Sequence, residues 1–442
     1  MKVMKFGGTS VGSPERIKNV AALVTKSGEQ TFVVLSAMSG TTNALVEICN
    51  HLYRKEKTQA NKLIDTLEEK YRNHIDELYE SETWREKTHA YAREVFEYLR
   101  SFTNDIFTSY EEKNILAQGE LLSTTMMTNY LTEQNIKAML LPALDFMKTD
   151  KYGEPDQPYI RKKLTGLMDT HQGYQIYVTQ GFICRNAFGE TDNLQRGGSD
   201  YTASLIGAAL QSEEIQIWTD IDGMHNNDPR IVEKTSPVRQ LSFEEAAELA
   251  FFGAKILHPT CIQPAKDSGV PVRLLNTMQP EAEGTLISQE TCTGTIKAIA
   301  AKDDMTAITV HAGKGTPVST FLKQVFDAFE HYQTPIDIAC TSQGGVTLSF
   351  NDNRHRDDIV EELKNIGTVE TEPDCCVICV VGDLFSQEAG YDAVILNTLR
   401  DIPVKMVSYG ASEHNISLLV SMTDKKEALQ RLSNTLFYHT EP

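Results

Sequence analysis

Short apolar runs alternate with helical patterns over the first half of the chain. Runs typical of buried strands occupy residues 31–36, 137–141, 175–180 and 215–218. Between about 55 and 110 the chain is highly charged, with apolar residues at helical spacing (Leu63, Leu67, Tyr71, Ile75, Leu78), which predicts an amphipathic helical insertion serving as a scaffold or a lid. Continuous apolar strands alternating with helices predict an α/β fold with a mainly parallel sheet sandwiched by helices.

The pattern changes after about residue 295. Two βαββαβ-like units follow, an imperfect duplication typical of small α+β regulatory or docking modules. We therefore predict a first domain over 1–295 and two smaller domains over 311–375 and 376–442. A further strand is predicted over 296–310, between the first domain and these two.

Composition narrows the functional classes. Acidic residues outnumber basic ones by 61 to 42, a net charge of −19, which argues against a general binder of nucleic acid or anionic membranes. An anionic ligand must then be held by a local cluster of Lys and Arg. The eight scattered cysteines do not suggest a disulfide framework, and no apolar run has the length of a signal peptide or a membrane span. We expect a soluble, cytoplasmic protein.

The first strand predicts an anion site. Lys5 stands among apolar strand residues, where a buried ammonium is costly without a partner, and Gly7 and Gly8 follow at once. The segment 13–15 (Ser-Pro-Glu) then has the signature of a helix start. A cation, accessible backbone amides and a helix N-terminus together suit a phosphate group, although a plain glycine turn remains the alternative.

Further candidates lie where parallel strands are expected to end, the edge at which such sheets bind ligands. Arg196 in the run 196–200 (Arg-Gly-Gly-Ser-Asp) can hold a carboxylate or phosphate by two hydrogen bonds, and Asp200 can orient a lysine or an ammonium group. The alternative is that Ser199 or Asp200 only caps a helix. Glu120, in a segment expected to open a helix, is equally a first-turn carboxylate or the partner of a substrate ammonium.

Thr219 and Asp220 end another strand and suit a nucleotide or Mg²⁺, while Arg230 adds positive charge in a turn. Lys255 is either a helix-end cation or a second phosphate lysine. Neither a GxxxxGK[ST] nor a GxGxxG loop is present. We interpret 313–316 as a surface or effector loop, and the CxxC at 376–379 as packed strand residues.

These segments together resemble the aspartate kinase family, which has the amino-acid-kinase fold. The matching pieces are KFGGTSVG at 5–12, SAMSGTTN at 36–43, QGELLST at 118–124, QGFI at 180–183, RGGSDYTA at 196–203, WTDIDG at 218–223, DPR at 228–230, FGAKILHP at 252–259 and MVSYGASEHNISLLV at 406–420. The resemblance spans essentially the whole chain, and no homoserine dehydrogenase segment follows, so the chain resembles the monofunctional members.

The resemblance implies a reaction and a set of site residues. ATP and L-aspartate give ADP and 4-phospho-L-aspartate with Mg²⁺, the first step towards lysine, threonine and methionine. It assigns the transferred phosphoryl group to Lys5, Gly7 and Gly8, with Asp200 orienting the reacting groups. The positions it assigns to aspartate are Thr42, Glu120, Arg196 and Ser199. Those it assigns to the nucleotide side are Thr219, Asp220, His225, Arg230 and Lys255.

Two departures from the family pattern stand out. The run 191–195 (Thr-Asp-Asn-Leu-Gln) replaces the common Thr-Thr-Thr-Leu-Gly, so we expect a locally changed active-site wall without lost activity. His225 stands where many relatives carry a tyrosine beside the nucleotide, which leaves its contact with adenosine open.

The C-terminal pair resembles ACT domains, which bind amino-acid effectors. In related enzymes one ACT unit is inserted into the other, so the resemblance implies that the strand at 296–310 joins the domain at 376–442. It also implies a homodimer or homotetramer. The effector positions implied are Phe321, Leu322, Ile336, Asp337 and Ser342, with Asp337 able to meet an ammonium group. Because 313–319 departs from the loop of lysine-sensitive relatives and Gln343 replaces their Glu, three alternatives stay open: lysine, threonine or no effector. Two alternatives to an aspartate kinase remain open for the function of the whole chain. One is another amino-acid kinase of this fold, and the other is a catalytically silent amino-acid sensor.

Overall fold

A computed structural model describes residues 1–104, 106–194, 197–254, 258–290, 295–313, 315–384 and 390–438. The chain divides into two compact units. The first comprises 1–224 and 257–289, and the second comprises 225–256 and 290–442. No helix in the described ranges is long and apolar enough to cross a bilayer.

The first unit is built on a mainly parallel sheet. Strands are numbered along the whole chain, and those of this unit are β1 (Lys2–Phe6), β2 (Thr31–Leu35), β3 (Ala138–Leu140), β4 (Ile176–Gln180), β5 (Ile183–Arg185), β6 (Thr191–Asn193), β7 (Ile215–Thr219), β9 (Val272–Asn276) and β10 (Thr285–Ser288). The sheet order is β3-β4-β2-β1-β7-β9-β10, antiparallel only between β9 and β10, while β5 and β6 form a separate hairpin. The predicted α/β class is confirmed.

Helices cover this sheet and extend it with an insertion. They are α1 (Pro14–Thr25), α2 (Thr41–Tyr53), α3 (Lys57–Leu78), α4 (Glu82–Ser101), α5 (Ser109–Glu133), α6 (Gln157–Thr170), α7 (Gly198–Leu210) and α9 (Pro259–Ser268), with a 3-10 turn at Ala143–Asp145. Ser13 caps α1, its hydroxyl accepting the Arg16 N–H at 3.3 Å, as the sequence predicts. The predicted helical insertion is present as α3 and α4, whose apolar stripes are buried.

The second unit is an antiparallel sheet with helices. Its elements are β8 (Gln240–Ser242), α8 (Phe243–Phe251), β11 (Ile296–Ala312), α10 (Val318–His331), β12 (Ile338–Ser342), β13 (Gly345–Phe350), α11 (Arg356–Lys364), β14 (Gly367–Gly382), α12 (Tyr391–Thr398), β15 (Met406–Ser408), β16 (Asn415–Ser421) and α13 (Lys425–Tyr438). Six of its strands follow the order β12-β13-β11-β14-β16-β15.

Two long strands connect the two halves of that sheet. β11 pairs with β14 along nearly its whole length, and its second part, from Thr306 to His311, also pairs with β13. Separate apolar cores form on the two halves, one around Phe321 and Phe350 and the other around Ile378 and Leu418. The cysteines of the CxxC, Cys376 and Cys379, are buried within β14, as their interpretation as packed strand residues requires.

Candidate active site

The carboxyl ends of four parallel strands meet at one edge of the first unit. In the strand register Phe6 lies opposite Leu35 and Trp218, and Leu35 lies opposite Gln180. The loops that follow these strands therefore leave the sheet at the same level. This is the edge at which sheets of this kind bind ligands, so it is the candidate active site.

An ion pair between Lys5 and Asp200 occupies the centre of this edge. Lys5 lies on β1, the strand between β2 and β7, and its side chain is 9% exposed. Its Nζ lies 2.6 Å from Oδ1 of Asp200, which stands in the first turn of α7. The partner that a buried ammonium requires is thus Asp200, which holds the cation in a fixed position. The sequence-based expectation that Asp200 orients a lysine agrees with this geometry.

The two glycines after β1 differ in their hydrogen bonding. The Gly7 N–H is donated to the Trp218 carbonyl oxygen at 3.3 Å, continuing the ladder between β1 and β7. Within the described part of the chain, the Gly8 N–H has no recorded acceptor. A Cβ at Gly8 would lie 2.7 Å from the Ala37 carbonyl oxygen, so this position requires glycine. Gly8 is therefore the amide of the pair that can meet an anion.

Ser199 is held against the loop after β2. Its hydroxyl accepts a hydrogen bond from Ser36 at 2.9 Å, and its side chain is largely buried. A Cβ on Gly181 would lie 2.3 Å from the Ser199 hydroxyl oxygen, so the glycine after β4 permits this close approach. The segments that follow β2 and β4 thus both contact Ser199.

Glu120 is a buried carboxylate in the middle of α5. The expectation that it opens a helix is wrong, because α5 begins at Ser109 after a capping box formed by Thr108 and Glu111. Its Oε1 accepts the Ala37 N–H at 3.1 Å. Its Oε2 is buried with no hydrogen-bond partner among the residues described. Burial raises the pKa of Glu120 to about 7, although the Ala37 hydrogen bond opposes this shift.

An orphaned carboxylate oxygen at this depth is suited to a ligand that brings a hydrogen-bond donor or a positive charge. The helix around Glu120 approaches the loop after β2 very closely, since a Cβ at Gly119 would lie 2.7 Å from Cβ of Ala37. Glu120 is therefore fixed against the same loop as Ser199.

The remaining candidates of the first unit are more exposed. Thr42 is exposed in the first turn of α2, just after the left-handed Gly40. Thr219 ends β7, where its hydroxyl accepts the Ile221 N–H at 3.2 Å, and Asp220 is exposed beside it. These three side chains are accessible to a ligand at the loops where they lie.

Two nucleotide-side candidates belong to the second unit, and two further candidates are not described by the structure. His225 and Arg230 belong to the second unit, where the Nδ1 of His225 lies 3.0 Å from the Thr235 hydroxyl and Arg230 makes two parallel contacts with Asp228. Arg196 and Lys255 lie outside the described residues, so their assigned roles remain predictions.

The candidate effector residues cluster around β12. Phe321 is buried in the apolar core, Leu322 and Ile336 pack against that core, and the Ser342 hydroxyl donates to the Gly345 carbonyl at 3.2 Å. Asp337 is paired with Lys302, whose Nζ lies 2.5 Å from its Oδ1. The side chain of Asp337 is only 3% exposed.

Sequence reasoning missed two features of the site. The first is Ser36, whose hydroxyl donates a hydrogen bond to Ser199. Ser36 directly follows a buried strand, at the same sheet edge as Gly7, and this position could have indicated a site residue. In the unusual run 191–195, Asp192 forms an ion pair with Lys113 of α5, a partner distant in sequence that no local pattern reveals.

Comparison with known proteins agrees with this architecture. The sequence model of the amino acid kinase family matches residues 1–276, and that of the ACT domain matches 378–436. The lysine-sensitive aspartokinase 3 of Escherichia coli K12 is 30% identical over 457 residues, covering 98% of this chain and 99% of that protein. The crystal structure of E. coli aspartokinase III with aspartate and ADP (R-state) is similar with a TM-score of 0.82, 29% identity and coverage of 99% and 100%.

The same E. coli enzyme with lysine and aspartate (T-state) is similar with a TM-score of 0.79 and 30% identity, covering 99% of each chain. The match to the amino acid kinase family extends over more than half of this chain. The similarity to aspartokinase 3 extends over nearly the whole of both sequences. The chain belongs to the aspartokinase family, within the amino acid kinase family, and carries an ACT domain.

Proposed function

We propose that this chain transfers the γ-phosphoryl group of ATP to the side-chain carboxylate of L-aspartate, giving ADP and 4-phospho-L-aspartate. The observation that carries the proposal is the Lys5–Asp200 pair at the carboxyl edge of the sheet, 2.6 Å from nitrogen to oxygen. The related E. coli enzyme is known in a complex with aspartate and ADP.

The chemistry needs positioning more than proton transfer. The side-chain carboxylate of aspartate is ionised near neutral pH and needs no general base. Phosphoryl transfer is accelerated mainly by alignment and by neutralisation of charge on the migrating group. Lys5 supplies a fixed positive charge, and the Gly8 N–H supplies a donor that has no other recorded acceptor among the described residues.

Recognition of the amino acid falls to the loop and helix around Glu120. Its buried Oε2 accepts a hydrogen bond from the α-ammonium of the substrate, and Ser199 is fixed against the same loop. Thr42 is assigned to the substrate by family resemblance. Arg196 takes the α-carboxylate by family resemblance. Asp200 acts by orienting Lys5.

Magnesium fits the acidic side chains of this edge. Mg²⁺ is usually held by one or two carboxylates together with substrate phosphates. Asp220 is exposed at the end of β7 and is the described carboxylate best suited to it. The described residues contain no group of three or more His, Cys, Asp or Glu side chains that could hold a metal alone, which favours an ion brought in with the nucleotide. Bound there, the ion would neutralise phosphate charge.

The nucleotide side extends, by resemblance, from Thr219 and Asp220 to His225, Arg230 and Lys255. We further propose regulation by an amino acid, lysine or threonine, at the β12 region of the second unit. The supporting observations are the ACT-domain match and the lysine complex of the E. coli enzyme. Assembly into a homodimer or homotetramer through the ACT domains, and a cytoplasmic location, belong to the same proposal.

An assay of ADP release decides the reaction. The purified chain is given MgATP with L-aspartate, L-glutamate or no acceptor, and product is trapped as the hydroxamate. Turnover with aspartate that requires Mg²⁺ supports the proposal. Turnover only with another acid would identify a different amino-acid kinase, and absence of turnover with any acid would indicate a silent sensor. Titration with lysine and with threonine in the same assay tests regulation, and a flat response to both removes it.

A further inference from the structure

Residues 36–42, from the end of β2 into the first turn of α2, form the segment through which the helical insertion contacts the candidate active site. On its inner side it contacts groups already assigned to the site: the Ala37 N–H is donated to Glu120, and the Ser39 N–H to the Gly8 carbonyl at 3.0 Å. We call this segment the substrate loop. Two further contacts come from α3, which contributes no other residue to the site.

Tyr71 of α3 holds the substrate loop by its hydroxyl. The Tyr71 oxygen lies 3.0 Å from the Thr41 hydroxyl, and both side chains are fully buried. The Tyr71 ring packs against Phe96 of α4 with ring centroids 5.8 Å apart, so the insertion fixes its direction. Burial raises the pKa of Tyr71 above its usual value, which keeps the phenol neutral and able to donate.

Lys70, the preceding residue, makes the second contact. Its ammonium donates to the Ser39 carbonyl oxygen at 2.7 Å. Gly40 follows in a left-handed conformation, with φ of +79°. Glycine gives the loop conformational freedom, and contacts on Ser39 and Thr41 restrain it on both sides of that residue.

We infer that Tyr71 and Lys70 are positioning residues, through which α3 fixes the conformation of the substrate loop and hence the binding of the amino-acid substrate. The identity of that substrate rests on the proposed function, whereas the restraint on the loop does not. The insertion is then neither a passive scaffold nor a lid. Activity falls steeply when a positioned group is displaced even slightly. Loss of one hydrogen bond that restrains the substrate loop should therefore have a measurable effect on activity.

Tyr71→Phe tests the inference against a matched control. Tyr79, just after α3, is also buried and donates its hydroxyl to the Met126 carbonyl at 2.7 Å, outside the substrate loop. Both substitutions remove one buried hydrogen bond. We expect Tyr71→Phe to raise KM for aspartate about three- to tenfold while KM for ATP changes little, because a buried hydrogen bond contributes about that factor. Tyr79→Phe should lower the melting temperature without moving either KM.

Lys70→Met provides a second variant that should fold, because its side chain is only partly buried. Its control is Lys18→Met, since Lys18 also donates to a carbonyl oxygen, that of Glu77 in the last turn of α3, at 3.4 Å and outside the substrate loop. Lys70→Met should raise KM for aspartate, and Lys18→Met should not. The inference would be overturned by equal changes in KM for the target and control variants. It would also be overturned if KM for aspartate and KM for ATP changed by the same factor.

Amide hydrogen exchange separates this inference from the proposed reaction. In Tyr71→Phe, peptides covering 36–42 should exchange faster than in the wild-type protein, and in Tyr79→Phe they should not. This result does not depend on which acid is phosphorylated. Unchanged exchange of the loop in Tyr71→Phe would refute the restraint even if aspartate is turned over. Faster exchange with no turnover of aspartate would support the restraint and refute only the reaction.

Discussion

Lys302 places its ammonium 2.5 Å from the carboxylate of Asp337, the residue that family resemblance assigns to the ammonium group of an effector. The same nitrogen lies 4.9 Å from the centre of the Phe251 ring. Burial raises the pKa of Asp337, and Lys302 opposes that shift. The carboxylate that the resemblance assigns to an effector is therefore already paired with an internal lysine.

The other oxygen of Asp337 remains available. Its Oδ2 is buried and has no hydrogen-bond partner in the ranges that the structure describes. A cationic effector must therefore either share the Asp337 carboxylate with Lys302 or displace Lys302 from it. In both cases the internal cation weakens the binding of an external one, because two positive charges in a partly buried site repel.

We predict that Lys302→Met tightens the binding of lysine. Without the internal cation, the buried carboxylate gains more from an external ammonium, and we expect roughly a tenfold lower Kd, corresponding to about 1.4 kcal/mol. Isothermal titration calorimetry on the whole chain measures it. Lys405→Met is the control, because the Lys405 side chain is similarly exposed, 25% against 20% for Lys302, but pairs with the exposed Glu372 of β14. Equal or weaker binding in Lys302→Met would show that Lys302 does not compete.

The raised pKa of Glu120 gives a prediction for pH. Folding raises this pKa from 4.5 to about 7, so below pH 7 the neutral form of Glu120 predominates in the empty site. Binding of a substrate ammonium requires the ionised form. We therefore expect kcat/KM for aspartate to rise with pH up to about 7 and then level off. Glu120→Gln should remove this rise and weaken aspartate binding about ten- to hundredfold, the range for a hydrogen bond to a charged group.

The free energy of unfolding should change with pH in the opposite direction to kcat/KM. A carboxyl whose pKa is raised on folding binds its proton more tightly in the folded state, so it destabilises that state as pH rises from about 4.5 through about 7. Glu120→Gln should thus gain stability relative to wild type at pH 8 compared with pH 5, as measured by urea unfolding. Glu133→Gln is the control, since Glu133 on the same helix also accepts a backbone N–H, from Ser81 at 2.7 Å. Parallel pH profiles for both variants would contradict the assignment.

Local patterns in the sequence are sufficient where one element carries the signal. The start of α1 at Ser13 and Pro14 and the helical insertion were both predictable from capping and periodicity. The start of α5 was not, because Gly119 near a polar run resembles a helix boundary. The close packing of α5 on Ala37 explains that glycine instead.

Pairs that join distant elements could not be predicted from local patterns. Lys5 and Asp200 were both singled out, yet only family resemblance and the fold connect them. Lys302 with Asp337, and Tyr71 with Thr41, join residues whose separate sequence contexts look like ordinary strand and helix positions. Register and packing in three dimensions decide such pairs, and a period of 2 or 3.6 residues carries no information about them.

Replacement of Lys5 tests the phosphate role. Lys5→Met should lower kcat by about two orders of magnitude or more, because loss of one positioned charge in such a site costs about 3 kcal/mol. Lys2→Met, at the start of the same strand, is the control and should keep near-normal activity. Steady-state kinetics with saturating ATP and aspartate measure both. Retention of most activity in Lys5→Met would show that the cation does not serve the migrating phosphoryl group.

The unusual run at 191–195 gives the last prediction. Asp192 of β6 pairs with Lys113 of α5, and both side chains are partly exposed. Asp192→Thr, which restores the residue common in the family, leaves Lys113 without this partner and should cost about 1 kcal/mol of stability, as should Lys113→Met. Because the two residues form one contact, the double variant should cost less than the sum of the two single changes. Urea unfolding of the four proteins measures this coupling, and strictly additive losses would mean that the pair contributes nothing to holding the hairpin on α5.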